Sequence, residues 1–148
     1  MKEESDAPIE LWQNLSAIYR TALKRLNARL SDEKLTFPQY SILRAIGKFG
    51  PMQMNKLGEH MLVAPANVTG LVDRLEKKGH VRRVKDPRDR RLFKIELTDK
   101  GEKVYGAISH QFRGYVRKLF ESLPGDERVA LLSTLRRVRD RVEALESL

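Results

Sequence analysis

A mainly α-helical fold, α+β by count, is predicted from three features of the sequence. Apolar residues recur every three or four positions through long segments at both ends of the chain. Between these segments, two shorter helical stretches meet at a tight turn. Directly after the turn pair, two short stretches of strand character flank a basic, proline-containing tip. At 148 residues the chain suits one domain with a real core, with room for a helical arm outside it.

The elements follow in order. A first helix is expected over residues 7–30, where Leu11, Leu15, Ile18, Ala22, Leu26 and Leu30 form one stripe. Trp12 and Tyr19 widen it, and Ser31-Asp32-Glu33-Lys34 breaks the pattern. Thr36-Phe37-Pro38-Gln39 has the form of a capping box with proline in the first turn. The helix it opens carries Tyr40, Leu43, Ile46 and Gly47 and stops near Gly50-Pro51. A short third helix over about residues 53–61 turns Met54, Leu57 and Met61 inward. Val63-Ala64 is the turn, and Pro65, with φ already set, starts a fourth helix over residues 65–78. Gly79 fits the left-handed position that ends it. Strands are expected over residues 81–85 and 92–97, the second burying Phe93, Ile95 and Leu97. Thr98 caps a fifth helix that reaches about residue 121 through Val104, Ile108, Phe112, Tyr115 and Leu119. After Pro124-Gly125-Asp126 the last helix carries Leu131, Leu135, Val138, Val142 and Leu145 at coiled-coil spacing.

Charge narrows the partner. The chain is 41% apolar and 33% charged, and its net charge of +9 favours a polyanion. A basic but inert surface is the alternative, and placement argues against it. Between residues 82 and 91, six basic side chains (Arg82, Arg83, Lys85, Arg88, Arg90, Arg91) face two acidic ones, Asp86 and Asp89. There is no cysteine, which excludes disulfides, a Cys-ligated zinc site and a thiol switch. No apolar run approaches a membrane span, and the N-terminus is acidic and polar, so no membrane partner is expected and the location should be cytoplasmic. His60, His80 and His110 lack the spacing of a helical metal pair, and no phosphate loop or nucleophile motif appears. No metal, cofactor or catalytic residue is expected, and the chain should not be an enzyme.

At about 100° per residue, Val68, Leu71, Val72 and Leu75 form the inner side of the fourth helix. Ala66, Gly70, Asp73 and Lys77 lie opposite, flanked by Asn67, Thr69 and Arg74. A glycine inside a helix costs about 1 kcal/mol relative to alanine, so Gly70 is read as a place of close approach. A helix-turn-helix puts its second helix in the major groove of duplex DNA. Pro65, Ala66, Asn67, Thr69, Gly70, Asp73 and Arg74 are therefore expected in that groove. Asn67 and Thr69 suit base edges; Lys77 and Lys85 suit phosphates, as does Arg74. At the hairpin tip, Arg88, Asp89, Arg90 and Arg91 are expected at the adjacent minor groove, with Arg90 inserted and Asp89 paired to Arg91.

Taken together, these segments resemble the MarR family of winged-helix transcriptional regulators. The resemblance lies in Thr36-Phe37-Pro38-Gln39-Tyr40-Ser41-Ile42-Leu43, in the stretch from Asn67 through Val72-Asp73-Arg74-Leu75 to Gly79, in Asp86-Pro87-Arg88-Asp89-Arg90-Arg91, and in Leu97-Thr98-Asp99-Lys100-Gly101. It implies a winged helix-turn-helix region, residues 35–101, and a dimerisation arm of interlocking N- and C-terminal helices, residues 1–34 and 102–148. It implies an obligate homodimer that reads a pseudo-palindromic double-stranded operator, with recognition helices about 34–36 Å apart. The first, fifth and sixth helices also carry more apolar surface than a small winged domain can cover, which points to the same symmetric interface. A ligand-responsive repressor is the expected role, with a small aromatic or phenolic effector and Trp12, Tyr19, Tyr40, Phe112 and Tyr115 as candidate pocket residues. Cysteine-based peroxide sensing is excluded by composition. The alternative is a non-enzymatic architectural DNA-binding or protein-interaction module.

Overall fold

A computed structural model of the chain describes residues 6–61 and 67–145. Among these are helices α1 (Ala7–Asp32), α2 (Phe37–Phe49), α3 (Met54–His60), α4 (Val68–Lys77), α5 (Asp99–Leu119) and α6 (Gly125–Ala144). Strands β1 (Met52–Gln53), β2 (Val81–Lys85) and β3 (Phe93–Leu97) form one antiparallel sheet in the order β1-β3-β2. The architecture is mainly helical, a winged helix-turn-helix with long helices at both ends. The chain divides into two compact units, Met1–Phe112 and Arg113–Leu148.

In the first unit each turn has a chemical cause. α1 runs to Asp32, two residues past the expected stop, and ends by placing Lys34 at φ +54. The Leu35 N–H then donates to the Leu30 carbonyl at 3.0 Å, a six-to-one closure. The capping box of α2 is complete: Gln39 N–H donates to Thr36 Oγ1 at 3.3 Å and Thr36 N–H donates to Gln39 Oε1 at 3.0 Å. α2 then supplies the centre of the core through Tyr40, Ile42, Leu43, Ala45 and Ile46. Leu26 and Leu30 of α1, Leu35, Met52 of β1, Leu57 of α3, Val72 and Leu75 of α4, Val81 of β2, Ile95 of β3 and Ile108 of α5 complete it. α5 passes so close to α2 that a Cβ on Gly47 would lie 2.2 Å from the Tyr105 ring.

Three expectations need correction. The strand β1 was not foreseen; Met52 and Gln53 sit where the sequence suggests a break and the start of α3, and pairing with Ile95 and Lys94 makes them a strand. Phe93 is not on the buried face in effect: it is 46% exposed, because β3 outruns the core at the tip end, while Ile95 is buried and Leu97 half-buried. The fourth helix, expected to include Asn67, begins at Val68 with Asn67 as its cap. The expected turn at Val63-Ala64 lies outside the described residues.

In the second unit, α6 has no buried residue. Phe120, Arg128, Leu131, Leu132 and Leu135 line an open apolar hollow of about 250 Å³. Val129, Val138 and Val142 are exposed on the same helix, as is Leu145 just after it. In the first unit, α1 likewise exposes Ile9, Leu11, Trp12, Leu15 and Ile18. No helix among the described residues is long and apolar enough to cross a membrane.

Candidate nucleic-acid interface

The exposed side of α4 is built by its start and its core contacts. Asparagine is among the strongest N-caps, because its side-chain oxygen satisfies an otherwise unpaired N–H of the first turn. Asn67 Oδ1 accepts from Gly70 N–H at 2.8 Å. Gly70 has a local reason that the sequence reading missed: a Cβ there would lie 2.7 Å from Asn67 Nδ2. Val72 and Leu75 are buried and Val68 and Leu71 pack against the core, which leaves Thr69, Asp73, Arg74 and Lys77 exposed. Pro65 and Ala66 lie outside the described residues.

The hairpin tip is shaped by two aspartates. Asp86 N–H donates to the Leu92 carbonyl at 2.8 Å, and Leu92 N–H donates to the Asp89 carbonyl at 2.9 Å. Within this frame Asp86 Oδ1 accepts from Arg88 N–H at 2.9 Å, and Asp86 Oδ2 lies 3.4 Å from Lys94 Nζ. Asp89 Oδ1 accepts from Arg91 N–H at 3.0 Å, and both its oxygens meet the Arg91 guanidinium at 3.1 Å. These are Asx-type turns, in which a short carboxylate substitutes for a backbone acceptor. The Arg88 N–H holds the Asp86 carboxyl below its ordinary value, and the Arg91 guanidinium does the same for Asp89. Asp89 and Arg91 pair, as the sequence suggests. Among the described residues no ion pair engages Arg88, Arg90, Lys85, Arg74 or Lys77, whose side chains are all exposed. Pairing absorbs the tip's carboxylates and leaves its spare positive charge to solvent.

In the sequence Arg83 is only one basic group among six. In the structure its guanidinium pairs with Asp73 and Glu76 of α4. The signal was present as two carboxylates at i, i+3 spacing on the helix before a basic strand. Arg82 pairs instead across the sheet with Glu96, its register partner.

The junction of helix and hairpin rests on His80. Gly79 takes φ +78, and His80 N–H closes onto the Leu75 carbonyl at 2.9 Å. The imidazole is buried, and among the described residues its Nδ1 has no partner. Burial lowers its proton affinity, with further lowering from Lys100 and Lys78 and slight opposition from Glu33. Charging it therefore costs the folded state more than the unfolded state. This contribution to stability is intact above the ordinary histidine value of 6.5 and is lost as pH falls through the lower folded value. Thermal melts between about pH 7.5 and 5.5 should show a falling midpoint that flattens in His80→Leu. Parallel curves for the two proteins would assign the pH dependence elsewhere.

Of the five aromatic candidates for an effector pocket, four belong to the first unit and one to the second. Tyr40 is buried, with its hydroxyl 3.0 Å from the Ser109 hydroxyl and its ring 6.5 Å from that of Tyr105. Phe112 is half-buried against the same core, and Trp12 and Tyr19 are largely exposed on α1. Tyr115 is half-buried and belongs to the second unit.

Known proteins share this arrangement. Residues 35–93 match the model of the MarR family. The chain is 35% identical over 102 residues to the HTH-type transcriptional regulator YsmB of Bacillus subtilis, covering 69% of each chain. Among solved structures it is similar to a MarR family protein from Bacillus stearothermophilus, at TM-score 0.78 and 26% identity over 95% of this chain and 99% of that one. It is also similar to the transcriptional regulator BldR of Sulfolobus solfataricus, at TM-score 0.69 and 31% identity over 94% and 99% of the two chains.

Proposed function

The chain belongs to the MarR family of non-enzymatic, DNA-binding transcription regulators, and on that premise we propose that it works as a homodimeric, ligand-responsive repressor of a pseudo-palindromic operator. The observation that carries the DNA side is the pairing of two exposed features. Thr69, Arg74 and Lys77 project from α4, and Arg88 and Arg90 project from the hairpin tip. In this reading residues 35–101 bind DNA. Asn67, Thr69, Gly70, Asp73 and Arg74, with Pro65 and Ala66, form the major-groove surface. Lys77 and Lys85 meet phosphates, and Arg88, Asp89, Arg90 and Arg91 serve the minor groove.

A second copy of the chain covers the apolar faces of residues 1–34 and 102–148. Support comes from α1 and α6, which leave leucine, isoleucine, valine and tryptophan side chains exposed at helical spacing. Two copies bring two recognition helices, and occupancy of a promoter excludes polymerase from it. A small aromatic or phenolic effector relieves repression by favouring dimers whose helices no longer match the groove spacing. Family membership alone supports the effector, and the protein acts in the cytoplasm.

Selection of bound duplexes from a random pool tests the reading. The expected product is a palindrome with half-sites one helical turn apart, about 10 base pairs. Preference for it over a scrambled duplex should reach about 10³ or more. A preference below about tenfold would instead fit an architectural or protein-interaction module.

A further inference from the structure

The exposed side of α4 carries a charge problem. Asp73 and Glu76 stand on α4, the helix that the DNA-binding reading sends into a phosphate-lined groove, where unpaired carboxylates would repel the ligand. One guanidinium from the adjoining strand takes up both. Arg83 Nη2 lies 2.5 Å from Asp73 Oδ1, and Arg83 Nη1 donates to Glu76 Oε2. The Arg83 backbone N–H adds a bond to Glu76 Oε1 at 3.3 Å. The side chain is half-buried between its partners, so the contact is less screened than one at an open surface. Arginine's planar fork suits this double recognition, and lysine's point charge does not.

The position of Arg83 matters as much as its charge. It lies on β2, opposite Ile95 of β3, and these two strands carry the basic tip. Asp73 and Glu76 share α4 with Thr69, Arg74 and Lys77. Between α4 and β2 the backbone passes only Lys78, Gly79 and His80, with Gly79 at φ +78. Backbone bonds from His80 N–H to the Leu75 carbonyl and from Thr98 N–H to the His80 carbonyl close this turn, and Arg83 adds a side-chain tie between the helix and the strand beyond it. With its two carboxylates, Arg83 forms a cluster of net charge −1, which does not attract a phosphate.

We propose that Arg83 is a positioning residue for DNA recognition: by clamping Asp73 and Glu76 it fixes the angle between recognition helix and hairpin, so that both reach adjacent grooves together. This rests on the DNA-binding reading above. The clamp makes the helix and tip contributions interdependent, and the interdependence is measurable.

The test uses the intact chain, the selected duplex and a scrambled duplex. Dissociation constants are measured for the wild type, Arg83→Gln, Arg90→Ala and the double variant, with thermal melts as a fold check. Arg83→Gln should weaken the selected duplex about tenfold or more, and the scrambled duplex far less. In the Arg83→Gln background, the further penalty of Arg90→Ala should shrink to under about twofold. Asp73→Asn breaks the clamp from the other side and leaves Arg83 in place, so it serves if Arg83→Gln fails to fold. It should reduce the Arg90→Ala penalty in the same way. If the penalties simply multiply, or if Asp73→Asn tightens binding and leaves the Arg90→Ala penalty whole, Arg83 does not position the two elements. A wild type that binds both duplexes alike overturns the DNA-recognition reading itself, and this inference with it.

Discussion

Replacing Gly101 by alanine should lower the stability of the folded chain by about 3 kcal/mol, at the upper end of what overpacking costs. A Cβ at position 101 would sit 2.0 Å from the His80 carbonyl oxygen and 3.0 Å from its carbonyl carbon. Both are backbone atoms, so no rotamer change relieves the overlap. The carbonyl cannot simply move, because it accepts the Thr98 N–H at 3.1 Å at the point where β3 passes into α5. Thr98 holds the same junction from its side chain, donating to the Gly79 carbonyl and accepting from Gly101 N–H at 3.1 Å. Helix propensity predicts the opposite sign, since alanine in a helix interior gains about 1 kcal/mol over glycine. Gly106, on the same helix with nothing near its missing Cβ, is the matched control. Urea denaturation of Gly101→Ala and Gly106→Ala should move the midpoint down for the first and leave it level or raise it for the second. An unchanged Gly101→Ala midpoint would mean that α5 can slide away from His80 at no cost.

Removing the Arg90 guanidinium should cost about 1–3 kcal/mol of DNA affinity, roughly 5- to 150-fold. The salt dependence of binding should weaken by about one released counterion. The physical ground is the absence of any ion pair to Arg90 among the described residues, at a tip whose two carboxylates are already engaged. A cation already paired within the chain must trade one partner for another, whereas Arg90 exchanges only water. Titrations of wild type and Arg90→Ala at several salt concentrations decide the matter. Equal affinities and equal slopes would remove Arg90 from the interface.

Much of the fold was readable from local chemistry. The Thr36–Gln39 capping box, the Thr98 cap and the Gly79 stop depend on neighbours within a few residues, so their residue types announce them. β2 occupies the five residues expected of it. What escaped depended on partners distant in sequence. β1 is two residues long and is a strand only because β3 lies beside it. Phe93 alternates as a buried residue should, yet the core ends before reaching it. At the candidate interface, the outward faces of Thr69, Arg74 and Lys77 followed from helical geometry. The clamp by Arg83 did not, since nothing local says which of six cations meets Asp73 and Glu76. The Asn67 cap on Gly70 also escaped, because a helix read as starting at Pro65 leaves Asn67 no capping role.

The two carboxylate-held turns at the hairpin tip have one more effect. A loop that must become ordered on contact gives up conformational entropy, about 0.5–1.5 kcal/mol for each immobilised long side chain and more for backbone. Here Asp86 and Asp89 have already folded the six-residue tip onto itself through their bonds to Arg88 and Arg91. The tip backbone and the Arg91 guanidinium therefore arrive preorganised, so that only the Arg88 and Arg90 side chains still lose freedom on contact.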